Sequence, residues 1–224
     1  MSKLHLFDIE GTTTDIKFVH DVLFPYAKKS IKDFILNNQT NSLVRQALED
    51  VQQTVWKEDQ KKISLYDTID TLINYIDTDR KHGALKSIQG LIWDVGYSKG
   101  DFKGHVYEDV KPYFESILKA QEKIGIYSSG SVHAQKLIFG YSIVGDLNPM
   151  ISYYFDTKIG GKREVESYSK IAQAVNLPPR DIHFYSDIAE ELKAAKDAGM
   201  EVTQLLRPGT LPSSFKGISS FLRT

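Results

Sequence analysis

Hydrophobic and polar positions follow two different rhythms along the chain. Four short apolar runs end in a polar or charged residue: Leu4 to Asp8, Lys123 to Ser128, Ile182 to Asp187 and Glu201 to Arg207. Runs of this length and content predict buried strands. Around the last three lie stretches whose apolar residues recur at helical spacing. These are Val110 to Ala120 (Phe114, Ile117, Leu118), Val132 to Phe139, Val165 to Val175 and Ala189 to Ala198, the last closed by Gly199 as a C-cap. Strands alternating with helices predict an α/β fold, a Rossmann-like parallel sheet with helices on both faces. Ligands of such sheets gather at the carboxyl ends of the strands. Asp8, Ser128 and Asp187 all fall there.

From about Val19 to Gly100 the texture changes to helical periodicity with little sign of strands. Ile31, Phe34 and Ile35 form one stripe, and Leu43, Ala47, Leu48, Val51 and Val55 a second. Leu65, Ile69, Leu72, Ile73 and Ile76 form a third, and Leu85, Ile88, Leu91, Ile92 and Val95 a fourth. Stripes of this kind predict a bundle of about four helices. The expected organisation is therefore an α/β core domain from residues 1–18 and 101–224, with a helical domain at 19–100 spliced in after the first strand. No internal repeat or low-complexity tract interrupts it.

Composition narrows the function. A chain of 224 residues is long enough to bury a substantial core. A net charge of -1 sets up no global field toward nucleic acid or an anionic membrane, so an anionic ligand must be held by local groups. Cysteine is absent, which excludes disulfides, thiolate metal sites, iron-sulfur clusters and a cysteine nucleophile. Lys3, His5, Asp8 and Glu10 leave no room for the apolar core of a signal peptide. No apolar run approaches the roughly 18 residues of a membrane helix. A cytoplasmic protein is expected, also nuclear if the source is eukaryotic, with no nucleic-acid or membrane partner.

Against that background the opening stretch KLHLFDIEGTTTD stands out. Residues two apart in an extended segment point the same way, so Asp8 and Glu10 can face one pocket. Two carboxylates together are costly unless a cation or a proton separates them. An ordinary acidic turn or helix cap is the competing explanation. YSSGS, Tyr127 to Ser131, offers hydroxyls and the amides of a following helix to an anion, although serines before a helix serve equally as N-caps. Lys162 follows two glycines and precedes a helix, where a solvated surface charge is the plain alternative. In FYSDIAEE, Asp187 ends a strand, and Glu190 and Glu191 suit the start of the next helix.

In chain order these elements are Asp-x-Glu-Gly-Thr, Ser-Ser-Gly, Lys and Ser-Asp-x-x-Glu-Glu. The ordered set resembles the haloacid dehalogenase superfamily, and the helical insert resembles its cap. The resemblance implies that Asp8 is a nucleophile and that Asp8, Asp187 and the Glu10 position hold one Mg²⁺ per subunit, the last through its main-chain carbonyl. It further implies that Ser128, Ser129 and Lys162 bind the phosphoryl group and that Glu10 works as acid and base. DIEGTTTDIKFVHDVLFPYA, IQGLIW, IYSSGSVHAQKLIFGYS, FDTKIGGK and LLRPG together are similar to the enolase-phosphatase (acireductone synthase) family of methionine salvage. Glu10, where most phosphatases of the superfamily carry Asp, agrees with that family.

The implied reaction is enolisation of 2,3-diketo-5-methylthiopentyl-1-phosphate and then its dephosphorylation to 1,2-dihydroxy-3-keto-5-methylthiopentene. Glu10, Ser129 and Lys162 are carried over as candidates for the enolisation step. Phe18, Val19, Phe24 and Trp93 are candidates for a wall around the methylthio tail, with plain core packing equally expected. A monomer is expected. A general phosphatase of the same fold, a Mg²⁺-independent dehalogenase and a phospho-accepting signalling module are the competing functions.

Overall fold

The computed structural model describes residues 3–222; the outermost residues of the expected core domain, 1–2 and 223–224, lie outside them. The chain divides into two compact units, Met1–Phe18 with Lys103–Thr224, and Val19–Phe102. In chain order the first unit begins with β1 (Leu4–Phe7) and the short α1 (Ile16–Phe18).

The second unit opens with a π-helical turn, Val19–Leu23, and continues through α2 (Phe24–Asn37), α3 (Ser42–Asp59), α4 (Leu65–Asp77) and α5 (Gly83–Lys99). Local chemistry sets the boundaries. The Asn41 side chain accepts from the amides of Leu43 and Val44, and Ser64 forms a reciprocal capping box with Asp67. Gly100 closes α5 at φ +76°. Three expected apolar positions are corrected: Leu43 is 59% exposed, Val95 38% and, in the first unit, Leu118 38%. Leu43 lies in the first turn of α3, ahead of the stripe that starts at Val44. The buried face of α5 instead runs through Leu85, Ile88, Ile92, Trp93 and Tyr97.

The chain returns to the first unit with α6 (Val110–Lys119), β2 (Lys123–Tyr127), α7 (Val132–Gly140), β3 (Tyr153–Phe155), α8 (Val165–Val175), β4 (Ile182–Ser186), α9 (Ala189–Asp197), β5 (Glu201–Leu205) and β6 (Gly217–Ile218). All strand pairs are parallel, in the order β3-β2-β1-β4-β5-β6. The period of two divides β1 between two cores. Leu4 and Leu6 join Tyr168, Ile171, Ile182, Phe184 and Leu192 on the side of α8 and α9. His5 and Phe7 pack on the other side against Tyr113 and Phe114 of α6. Strands covered on both faces read as continuous apolar runs, which is why these were visible in the sequence.

The chain steps outward from β1 to β2 and β3, then crosses back to β4. The order therefore reverses between β1 and β4, the place where open α/β sheets leave a crevice at their carboxyl ends. Asp8, Ser128 and Asp187 are each the first residue beyond their strands.

Candidate active site

The loop after β1 is tied down by its own threonines. The Ile9 carbonyl gathers the amides of Thr12, Thr13 and Thr14 at 3.2, 2.9 and 2.8 Å, forming a tight helix-like turn. Thr13 Oγ1 donates to the Asp8 carbonyl at 3.0 Å, and Thr14 Oγ1 donates to the His105 carbonyl at 2.8 Å. Thr12 Oγ1 accepts the amide of Asp187 at 3.1 Å, which joins the loops after β1 and β4. Gly11 has φ +73°, and a Cβ there would overlap the Asp187 carboxylate. The polar run behind Asp8 thus specifies the loop's geometry.

Lys162 is delivered by a second anchored loop. Tyr127 Oη donates to the Gly160 carbonyl (2.8 Å), Ser167 Oγ to that of Gly161 (2.8 Å) and Tyr168 Oη to that of Lys162 (2.6 Å). Gly160, at φ +145°, leaves no room for a Cβ beside Ser167. The Lys162 ammonium is buried, 2.5 Å from Asp8 Oδ1 and 2.7 Å from Glu191 Oε2. It also lies 6.0 Å above the centre of the Tyr127 ring. Ser186 Oγ donates to the same Glu191 oxygen at 2.9 Å. Glu191 is the partner that sequence reasoning did not assign. Acidic residues at a helix start have a sufficient local explanation there, and only the fold turns this one toward Lys162.

Burial alone would lower the Lys162 pKa, but the Asp8 and Glu191 charges outweigh it and raise the pKa. Burial pushes Glu191 up to about 7, with the Asp8 charge adding and Lys162 opposing. Burial likewise pushes Asp187 up to about 7, helped by the charges of Asp8 and Glu10. Asp187 Oδ1 is buried without a hydrogen-bond partner.

Among the described residues no three His, Asp or Glu side chains form a ready-made metal cage. The fit to a cation rests instead on two mutually repelling carboxylates, Asp8 and Asp187, and on an orphaned carboxylate oxygen. Those are hard oxygen donors that suit a small divalent ion.

Ser128 follows β2, which pairs with β1 so that Phe7 is level with Ile126. Ser128 is buried and its Oγ accepts the Gly130 amide at 3.1 Å, whereas Ser129 is exposed. Ser131 is the N-cap of α7, accepting from Ala134 at 3.2 Å. Gln135 Nε2 donates to the carbonyls of Gly130 and Phe155, both at 2.8 Å, and so fixes the serine loop. Of the residues suggested for an apolar wall, Phe18, Val19 and Trp93 are buried. Trp93 stacks on Phe24 and donates to the Leu23 carbonyl at 2.9 Å, which is core packing of the helical unit.

With this geometry in place, the chain can be set beside known proteins. Residues 3–199 match the model of the haloacid dehalogenase-like hydrolases. "Enolase-phosphatase E1" of Erwinia tasmaniensis is 48% identical over 200 residues, covering 89% of this chain and 86% of its own. The protein of the same name from Aquifex aeolicus is 44% identical over 225 residues, covering 99% and 98%. The crystal structure of the UTR4 protein of Saccharomyces cerevisiae superimposes with a TM-score of 0.80 at 30% identity, covering 98% of each chain. CbbY from Rhodobacter sphaeroides, solved in complex with phosphate, shares the fold at a TM-score of 0.58 and 14% identity. No helix among the described residues is long and apolar enough to cross a membrane.

Proposed function

The chain belongs to the haloacid dehalogenase-like hydrolases and, within them, to the enolase-phosphatase family, and on that premise we propose that it enolises 2,3-diketo-5-methylthiopentyl-1-phosphate and then removes the phosphate. The product is the acireductone 1,2-dihydroxy-3-keto-5-methylthiopentene of methionine salvage. The observation that carries the phosphatase half is the buried Lys162 ammonium seated between Asp8 and Glu191 beside the unsatisfied Asp187 oxygen. The enolase half draws support from relatives named for both activities.

Phosphate esters resist hydrolysis because an anionic nucleophile must approach an anionic phosphoryl group. One Mg²⁺ per subunit, held by Asp8, Asp187 and the Glu10 main chain, would cancel part of that charge. Lys162 occupies Asp8 Oδ1 and leaves Oδ2 for the attack on phosphorus. The new Asp8 oxygen–phosphorus bond makes an aspartyl-phosphate as the bond from phosphorus to the substrate oxygen breaks. Glu10 gives that oxygen its proton, then takes one from the water that attacks phosphorus and frees Asp8. Ser128 and Ser129 bind phosphoryl oxygens, with the Ser128 hydroxyl oriented by Gly130.

Enolisation needs a base for the proton beside the carbonyl and a donor for the developing enolate. Lys162, held protonated by two carboxylates, suits the donor. Of the two remaining candidates, the Glu10 carboxylate suits the base better than the Ser129 hydroxyl. A cytoplasmic monomer acting on this small phosphorylated substrate completes the reading.

A substrate panel tests it. The diketone phosphate is expected to show the highest kcat/KM, well above simple sugar phosphates and an aryl phosphate. Equal or better turnover of a sugar phosphate would replace this reading with that of a general phosphatase. Full activity in excess EDTA would favour a dehalogenase-like chemistry.

A further inference from the structure

Two buried side chains at the end of β5 reach the loops carrying Asp8 and Asp187, and the chemistry above uses neither. Gln204 Nε2 donates to the Asp187 carbonyl at 3.0 Å and to the Leu211 carbonyl at 3.1 Å. Its Oε1 accepts from the amide and hydroxyl of Ser213 at 2.9 and 2.8 Å. Arg207 Nε donates to the Thr12 carbonyl at 3.0 Å. Its two terminal nitrogens grip the two oxygens of Asp109, each at 2.9 Å. The guanidinium also lies 4.1 Å from the centre of the Tyr107 ring, which fixes its plane.

The main chain of Asp187 is thus held at both ends. Its amide is accepted by Thr12 Oγ1, and the Thr12 peptide is held in turn by Arg207. Its carbonyl is held by Gln204. The carboxylate Oδ1 is buried without a hydrogen-bond partner. Buried polar groups therefore fix the backbone from which this carboxylate projects, while its buried Oδ1 is left for another partner. A group arranged this way is prepared for a ligand that arrives from outside.

We propose that Gln204 and Arg207 are positioning residues that hold the Asp187 carboxylate in place for a divalent cation, with Asp109 orienting Arg207. This rests on the cation reading of the site given above. Lysine at position 207 keeps the charge but cannot supply the bidentate grip on Asp109 together with the bond to Thr12. Methionine at position 204 keeps the volume and removes both donors.

Calorimetric titration of the full-length free protein with Mg²⁺ alone tests this without reference to turnover. Gln204→Met and Arg207→Lys are each expected to bind Mg²⁺ about 10- to 100-fold more weakly than wild type. Substrate KM at saturating Mg²⁺ should stay unchanged, with kcat recovering as Mg²⁺ is raised. Folded variants that bind Mg²⁺ like wild type would overturn the inference and leave the cation reading intact. A wild type that binds no Mg²⁺ would overturn both. If neither variant folds, the wild type decides by NMR: the Gln204 amide protons and Arg207 Nε proton are expected to shift with Mg²⁺ at one common midpoint. Resonances that ignore Mg²⁺ through saturation would refute the proposal.

Discussion

Replacing Lys162 by methionine removes the cation between two buried carboxylates while keeping most of its volume. Nζ lies 2.5 Å from Asp8 and 2.7 Å from Glu191, and the side chain is 7% exposed, so water cannot take its place cheaply. Breaking a buried ion pair by deleting one partner costs about 3–5 kcal/mol. For a chain of this size that corresponds to a fall in Tm of roughly 10 °C. The loss should depend on pH. Glu191 sits at about 7 with Lys162 opposing its rise, so without Lys162 it goes higher still. A carboxylate raised in the folded state binds a proton there that the unfolded chain releases, and stability then falls as pH rises toward the folded pKa. The gap to wild type should therefore widen from pH 6 to pH 8.5, at up to about 1.4 kcal/mol per pH unit for one proton. Urea and thermal unfolding in EDTA at both pH values measure it. A loss below about 1 kcal/mol, or a gap that narrows as pH rises, would refute the placement of Lys162 as the cation holding this pair.

Three further outcomes follow from other groups. Mg²⁺ binding should displace the Asp187 proton, since this carboxyl sits at about 7. Calorimetry in buffers of different ionisation heat should report about half a proton released at pH 7 and none near pH 9, whereas identical heats in all buffers at pH 7 would contradict it. His183 is pushed down to about 4, first by burial and then by the charges of His5, Lys3 and Lys216. The unfolded chain thus binds more protons between pH 4 and 6.5, and stability should drop by up to about 3 kcal/mol as pH falls through that window. His183→Gln should flatten the drop, and an unchanged acid limb in that variant would count against the cause given. Glu10→Asp should keep hydrolysis of an aryl phosphate and lose most enol formation; survival of enol formation with collapse of hydrolysis would place the base elsewhere.

Much of the sheet was legible because its central strands are covered on both faces. Leu4 and Leu6 turn to one side of β1 and His5 and Phe7 to the other, which leaves an unbroken apolar run ending at Asp8. β3 and β6 were not legible, since three and two residues are too few to carry a period. Asp8, Ser128 and Asp187 were found by the same logic that found their strands, because each stands just past a strand end. Glu191, Gln204 and Arg207 were missed for a different reason. Each has an adequate local explanation, as helix-start acid, strand polar residue or surface cation, and its partner is distant in sequence: Lys162 for Glu191, the Asp187 carbonyl for Gln204, Thr12 and Asp109 for Arg207. The role of the threonines after Gly11 was not legible either. Their hydroxyls bond to Asp8, His105 and Asp187, groups that only the folded loop brings near.

The most direct test mixes the diketone phosphate with excess enzyme and follows ultraviolet absorbance and phosphate release together, in wild type and in Asp8→Asn. In wild type, enol formation is expected first and phosphate release second, as two resolved phases. Asp8→Asn, folded by circular dichroism, should form the enol and stop there, because the amide keeps the shape of the site and removes the nucleophile. Phosphate released by Asp8→Asn at a rate near that of wild type, or released by wild type with no enol phase, would contradict the account.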